Sequence, residues 1–318
     1  MASEAKTSSS VTPRVCLLTV AGQITDPNFY AAKALAEALA EAFFPVKANV
    51  LAMVESELQH HVSEAAATVA GIDVAAPLAV YYNDTHLIGD AKAFEVWAQR
   101  AYQFGIEADV AAYEATAASA LQRWASGRAM LLGAEGARTV ADRFVYMDLS
   151  IDGEAAGRVV YELFSEVCPK AAENFRRLCS GVNPKGDATL HYRGSLVHRV
   201  VKDGFVQGGD IVAGKGDGGL SAIGADADDE AFANFEDETF AMPHDVPGVL
   251  GMANCGAHTN ASQFYVTLRP SPWLDSSKVA FGRVISGLAV LRTAAELPSR
   301  NQRPNVEVRI LDSGILSI

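Results

Sequence analysis

Apolar and polar positions follow two different rhythms along this chain, and the change falls near residue 143. In the first part, short apolar runs alternate with helical stripes. Residues 14–20 (Arg-Val-Cys-Leu-Leu-Thr-Val) are β-branched and aliphatic, at the length of a strand. Asp26-Pro27-Asn28 then reads as a helix start, with Asp26 as the cap and Pro27 at the first helical position. Leu35, Leu39 and Phe43 fall four apart in the alanine-rich segment 31–44, on one face of a helix that Pro45 must stop. A strand is predicted over 46–54, a helix over 55–70 and a strand over 76–82. Asn83-Asp84 makes a turn, 85–88 pairs back as a hairpin arm, and Gly89-Asp90 opens a helix over 91–102. The order β-α-β-α-β-β-α predicts a small α/β domain over 14–103, preceded by a polar, disordered leader at 1–13. Residues 104–142 read as a helical linker. Its stripe is Val110, Tyr113, Ala117, Leu121 and Trp124, and Gly127, Gly133 and Gly136 are expected to loosen its end.

From Arg143 the period shortens to two. Residues 144–151 alternate, Asp152-Gly153 makes a hairpin turn and 158–164 alternate again, an antiparallel opening. A helix is predicted over 169–179, with Phe175, Leu178 and Cys179 on one side. Many short strands with glycine-rich connections follow, the composition of a β-barrel.

Composition narrows the function classes. The chain has 318 residues, 49% of them hydrophobic and 20% charged, enough apolar surface for two cored domains. It carries 26 basic and 38 acidic side chains, a net of −12, so a general nucleic-acid binder is disfavoured. The four cysteines, Cys16, Cys168, Cys179 and Cys255, form no CxxC pair. They predict neither a disulfide scaffold nor a zinc site, and they fit a reducing compartment. No apolar run is long enough to span a bilayer, and cytoplasm is the expected location.

Two resemblances add to this reading. The order of elements over 14–103, with Ala76-Pro77 ahead of a strand and Tyr82–Gly89 as a hairpin, resembles the glutaredoxin-like branch of the thioredoxin fold. That resemblance implies a cis proline at 77. It also puts the redox element at Thr25-Asp26-Pro27-Asn28, where no thiol stands to act as nucleophile. The second part resembles the cyclophilins. Asp152-Gly153, residues 157–164, Cys168-Pro-Lys-Ala-Ala-Glu-Asn-Phe175, Val197-His-Arg-Val-Val201, Gln207-Gly-Gly-Asp210, Phe235-Glu-Asp-Glu238, residues 248–254, Ser262-Gln-Phe-Tyr265, Trp273-Leu-Asp275 and Val279-Ala-Phe-Gly282 carry the resemblance in order. It implies a closed eight-stranded antiparallel barrel with two capping helices over 143–318. It also implies cis/trans isomerisation of X–Pro bonds without a cofactor. That reaction crosses a barrier of about 18–20 kcal/mol by breaking amide resonance, so a site works by binding the twisted state best.

Residue by residue, the cyclophilin resemblance puts the catalytic arginine at Arg199. It puts the polar anchors at Gln207 and Gln263, the substrate-backbone anchors at Ala253 and Asn254, and the pocket edge at Trp273 and Leu274. Four positions depart from the family. Its Phe-Met pair falls on Gly204 and Phe205, which is expected to remove an aromatic wall at 204 unless Phe205 swings in to replace it. Its floor phenylalanine falls on Tyr265, whose hydroxyl would cost about 1–3 kcal/mol if left without a partner. Its histidine falls on Lys278. Weak or lost activity is therefore expected. The Gly204–Val212 variant and the tail around Asn301-Gln-Arg-Pro304 are similar to a divergent cyclophilin subfamily associated with motile cilia. That likeness implies axonemal (radial-spoke or doublet-microtubule) partners, and the competing expectation is a structural subunit of such an assembly.

Other features receive plainer readings. Gly214-Lys-Gly-Asp-Gly-Gly219 lacks the sequel of a phosphate loop. Asp226, Asp228, Asp229 and Glu230 read as a solvated loop. Residues 183–190 resemble an extra cyclophilin loop whose redox pair would be Cys179 with position 313, but Ser313 stands there. Cys16 is expected to be a buried small hydrophobe, and His198 is expected to make a structural hydrogen bond on the face opposite Arg199. His60 and His61 are expected to be exposed.

Overall fold

A computed structural model describes residues 16–73, 75–131, 143–182, 190–223 and 234–316. The leader at 1–13, the acidic cluster at 226–230 and most of the extra loop at 183–190 lie outside the described residues. The chain divides into two units. One comprises Met1–Met53 and His61–Ala118, and the other Val54–His60 and Ser119–Ile318.

Residues 16–102 have the predicted order: β1 (Cys16–Gln23), α1 (Pro27–Ala42), β2 (Val46–Met53), α2 (Glu55–Ala65, whose residues up to His60 are grouped with the second unit), β3 (Leu78–Tyr82), β4 (His86–Gly89) and α3 (Ala91–Tyr102). The sheet runs β2-β1-β3-β4, with β1 parallel to β2 and the other pairs antiparallel. The local signals act as their chemistry dictates. Asp26 accepts from Asn28 N at 2.9 Å to cap α1, and Pro27 stands at the first helical position. Asp90 accepts from Ala93 N at 2.8 Å to cap α3. Asn83 and Asp84 both take positive φ (50° and 55°), the backbone a two-residue hairpin turn requires. Leu18, Val20, Phe29, Leu35, Leu39, Val80 and Phe94 form the core.

Several expectations are corrected here. Phe43 caps α1 rather than belonging to its stripe. The cis X–Pro bond is Phe44–Pro45, not Ala76–Pro77; local sequence separates the isomers poorly because the trans preference is only about 0.5–1 kcal/mol. Cys16 is half-buried rather than buried. His61 is not free, because its Nε2 meets the Tyr81 hydroxyl at 2.9 Å.

A long helix, α4 (Val110–Leu131), follows, and the division between the units falls inside it. It runs through Gly127 without a break. Its buried positions are Ala117, Ala120 and Ala125, while Val110 is 57% exposed. Of the predicted stripe, Ala117 is buried, Tyr113 and Leu121 are half-buried, and Trp124 meets the Phe144 ring edge-on at 6.0 Å.

The second unit contains β5 (Phe144–Ile151), β6 (Glu154–Leu163), α5 (Pro169–Ser180), β7 (Leu196–Val201), β8 (Phe205–Asp210), β9 (Val249–Met252), β10 (Phe264–Thr267), β11 (Ala280–Ser286), α6 (Leu288–Ala295), the two-residue strands β12 (Ser299–Arg300) and β13 (Arg303–Pro304), and β14 (Val308–Ile315). Eight strands close a barrel in the order β10-β8-β7-β14-β5-β6-β11-β9. Closure removes every free sheet edge. The inward residues of the period-two strands fill the barrel around Phe175 of α5, whose ring meets those of Tyr161, Tyr192, Phe264 and Phe281 at 5.2–5.7 Å. Cys168 at the head of α5 has a thiol pushed up to about 12 by burial and by the Glu238 charge, so it packs rather than reacts. Ser313 donates to the Cys179 carbonyl at 3.0 Å, a structural bond at the place where a redox partner was sought.

Candidate functional site

One face of the barrel collects the positions singled out in sequence. Strand β7 alternates, so His198 is buried and Arg199 exposed. Antiparallel pairing with β8 puts Arg199 opposite Gln207 and Val201 opposite Phe205. Strand β10 then pairs with β8 so that Tyr265 stands opposite Gln207. Register alone thus brings together Arg199, Phe205, Gln207 and Tyr265 from three strands.

A hydrogen-bonded chain fixes the polar members. Arg199 Nη1 donates to Gln207 Oε1 at 3.2 Å, and Gln207 Nε2 donates to Gln263 Oε1 at 2.9 Å. Gln263 Nε2 donates to the carbonyls of Gly216 (3.0 Å) and Gly218 (2.7 Å). From the other side, Arg199 Nε donates to Gln302 Oε1 at 2.7 Å. These bonds use two of the five guanidinium donors, and the remaining three can meet a substrate. The guanidinium carbon stands 5.0 Å from the centre of the Phe205 ring.

Of the apolar members, Phe205 takes the compensating place. Gly204 is buried in the turn between β7 and β8; its N–H donates to Val201 O, and its carbonyl accepts from Leu268 N at 2.8 Å. A Cβ built on Gly204 would stand 2.8 Å from Val201 Cγ1, so no gap shaped for a side chain opens there. Phe205 supplies the aromatic ring instead, 6.0 Å and edge-on from Tyr265. Trp273 is 56% exposed on a short 3-10 helix (Pro272–Leu274), with Arg269 at 5.2 Å from its ring, and Leu274 beside it is half-buried.

The Tyr265 hydroxyl has a partner, so the cost of an unpaired hydroxyl does not arise. His244 Nε2 lies 2.6 Å away, and His244 Nδ1 meets Asp275 Oδ1 at 2.7 Å. A carboxylate only accepts, so Nδ1 carries the proton, and a neutral ring presents a bare Nε2 to the phenol O–H. The His244 bonds hold the Asp275 carboxyl below the usual range, and burial pushes the Tyr265 hydroxyl far above its own. His244 was not singled out in sequence. It stands 21 positions from Tyr265, and only the extra hydroxyl hints that a polar partner must exist.

Lys278 also acts on the site. Its Nζ donates to the Asn254 carbonyl at 3.2 Å and to Asn254 Oδ1. Asn254 Nδ2 in turn donates to Asn260 Oδ1 at 3.0 Å. The neighbouring Ala253 N donates to Gln263 O at 3.0 Å, within the sheet. The Asn254 carbonyl is therefore already engaged by a cation.

His198 departs from expectation in the opposite sense. It is buried, yet neither ring nitrogen has a hydrogen-bond partner among the described residues, and burial lowers its pKa. Asp210, also unanticipated, organises the loop beside it. Its carboxylate accepts from the backbone N–H groups of Val212, Ala213, Lys215, Gly216 and Gly218 at 2.8–3.3 Å. Burial opposes ionisation, but the N–H groups of Ala213, Gly216, Val212 and Lys215 prevail and hold its pKa well below the ordinary aspartate value. Among the described residues no group of three or more His, Cys, Asp and Glu side chains is placed to hold a metal, and no helix is long and apolar enough to cross a membrane.

Comparison with known proteins converges on the same unit. Residues 146–315 match the family model described as cyclophilin type peptidyl-prolyl cis-trans isomerase/CLD. A bovine protein named "Probable inactive peptidyl-prolyl cis-trans isomerase-like 6" is 42% identical over 238 residues, covering 74% of this chain and 71% of its own. The mouse protein of that name is 39% identical over 238 residues, 74% and 69% of the two chains. The human one is 48% identical over 174 residues, 54% and 53% of the two chains.

Proposed function

The chain belongs to the cyclophilin-type peptidyl-prolyl cis-trans isomerase family, and from that premise we propose that it binds proline-containing segments of proteins through the face around Arg199 and isomerises them weakly or not at all. Arg199 would donate to the proline nitrogen as it pyramidalises in the twisted state. Phe205, Tyr265, Trp273 and Leu274 would hold the ring, and Gln207, Gln263, Ala253 and Asn254 would position the flanking backbone. One observation carries the reading of low activity: Lys278 sits on the Asn254 carbonyl, so a substrate must share or displace that bond before it is held. The relatives' printed names, which call them probable inactive, point the same way.

The test is exchange spectroscopy of a proline peptide with the purified protein, beside Arg199→Ala and an active cyclophilin. We expect peptide binding that Arg199→Ala weakens. We also expect kcat/KM at least about 100-fold below the active enzyme, a loss of about 2.7 kcal/mol in transition-state binding. Turnover equal to the active enzyme would overturn the reading.

The domain assignment carried with this proposal is a thioredoxin-like scaffold over 14–103, a helical linker over 104–142 and the isomerase-type domain over 143–318. For the place of action we propose the axoneme of motile cilia, with both domains serving as docking modules, on the sequence likeness of the 204–212 segment and the tail around Pro304. Tagged protein that stays diffuse in ciliated cells, with no axonemal fraction, would overturn that location.

A further inference from the structure

Beside Arg199 the barrel opens into a cleft of about 530 Å³. Its walls come from four places in the sequence: β7, Gln207 of β8, the Asp210-organised loop, and residues 300–305, which include most of the β12–β13 hairpin. Ten residues line it. Four are cationic (Arg199, Lys215, Arg300 and Arg303) and none is acidic. None of the four pairs with a carboxylate among the described residues. Arg303 instead donates to the Gly214 carbonyl at 3.1 Å, and Arg199 to the two glutamines already described. The floor holds His198, buried and without a hydrogen-bond partner among the described residues. This concentration of positive charge sits in a chain whose net charge is −12. Four like charges facing one cavity repel one another, and an anion within it relieves that repulsion.

We propose that this cleft is a specificity subsite for carboxylate side chains, so that the protein selects proline segments flanked by aspartate or glutamate. The inference rests on the proline-binding reading above and names the substrate class for that same site. Two walls, Arg199 and Gln207, are shared between the cleft and the face around Tyr265, so a peptide seated at Arg199 continues directly into the cleft. The occupant is a short acidic peptide rather than a nucleic acid, because the chain's net negative charge opposes a long polyanion while a few carboxylates meet only the local cations. Arg300 and Arg303 present planar forks suited to carboxylate, and both are exposed on the hairpin. Asp210 contributes by position: it holds the loop that carries Lys215.

Three fluorescently labelled peptides test this by polarisation: a proline flanked by glutamates, the same with glutamines, and the glutamate peptide with alanine in place of proline. The full chain is compared with the Arg300→Gln/Arg303→Gln double variant and, separately, with Lys215→Gln, all exposed positions outside the proposed catalytic set. We expect the glutamate–proline peptide to bind about tenfold tighter than the glutamine one. The preference should shrink as salt rises from about 0.05 to 0.5 M, and it should fall to about twofold or less in the double variant, with Lys215→Gln intermediate. Equal binding of the two proline peptides overturns the subsite and leaves the proline reading standing. So does a preference that survives all the substitutions. Binding of both glutamate peptides alike, with none of the glutamine–proline peptide, upholds the cationic cleft and overturns proline binding. Binding of none overturns both.

Discussion

Tyr265 is the end of a buried polar chain, and Asp275 and His244 complete that chain. The hydroxyl is thus a structural bond of the barrel wall. Tyr265→Phe is expected to leave His244 Nε2 buried without a partner and to lower stability by about 1–3 kcal/mol, read as a fall in Tm. Proline-peptide affinity should not fall with it. Asp210 makes a sharper case, because its bonds are to a charged group. Asp210→Asn is expected to cost about 2 kcal/mol at neutral pH, measured by urea unfolding. The sign of the pH dependence follows from its depressed pKa. The wild-type advantage is full above about pH 4, where the unfolded carboxyl is ionised, and it is lost as pH falls from there towards the folded value. A gap between the two proteins that widens towards acid would contradict this assignment.

At the scale of elements, the legible features were those governed by local chemistry. Asp26-Pro27, Asn83-Asp84 and Asp90 each placed a cap or turn, and period-two alternation placed β5 and β6. What stayed hidden depends on register and on remote partners. Helix α5 shows why. Its cap residue, Cys168, makes no side-chain cap bond, so the motif reads as an uncapped start. The cap comes from Glu238, whose two oxygens accept from Lys170 N and Ala171 N at 2.8 Å, nearly seventy positions away along the chain. Glu238→Ala is expected to destabilise the barrel by about 1–2 kcal/mol, checked by thermal unfolding, with Glu238→Gln retaining part of the loss. The same limit applied to Gly204. An ungapped comparison with the family reads it as a missing aromatic wall. In the turn, its Cα faces Val201, and Phe205 carries the ring.

For the molecule as a whole, the change of rhythm near residue 143 gave the barrel class, while the division between the units, which falls inside α4, left no mark in the apolar pattern. The polar face around Arg199 was legible as a set of positions. Its wiring through Gln302, His244 and Lys278 was not, since nothing local links residues 20 to 100 positions apart. If residues 14–103 are thioredoxin-like as proposed, the start of α1 at Asp26-Pro27-Asn28 carries no thiolate where disulfide exchange would need one. The full chain is expected to give no turnover in insulin reduction above buffer with dithiothreitol alone. Measurable turnover would require a different role for Cys16 or Cys255.

Lys278 gives the binding face an internal competitor. If peptides bind here as proposed, a peptide donor that must displace the ammonium group from the Asn254 carbonyl divides the face into a closed and a free population. Observed affinity is then the intrinsic affinity scaled by the free fraction: were the lysine seated for about 99% of the time, binding would look about 100-fold weaker than the groove permits. A low measured affinity would on this account describe an occupied site rather than a badly shaped one.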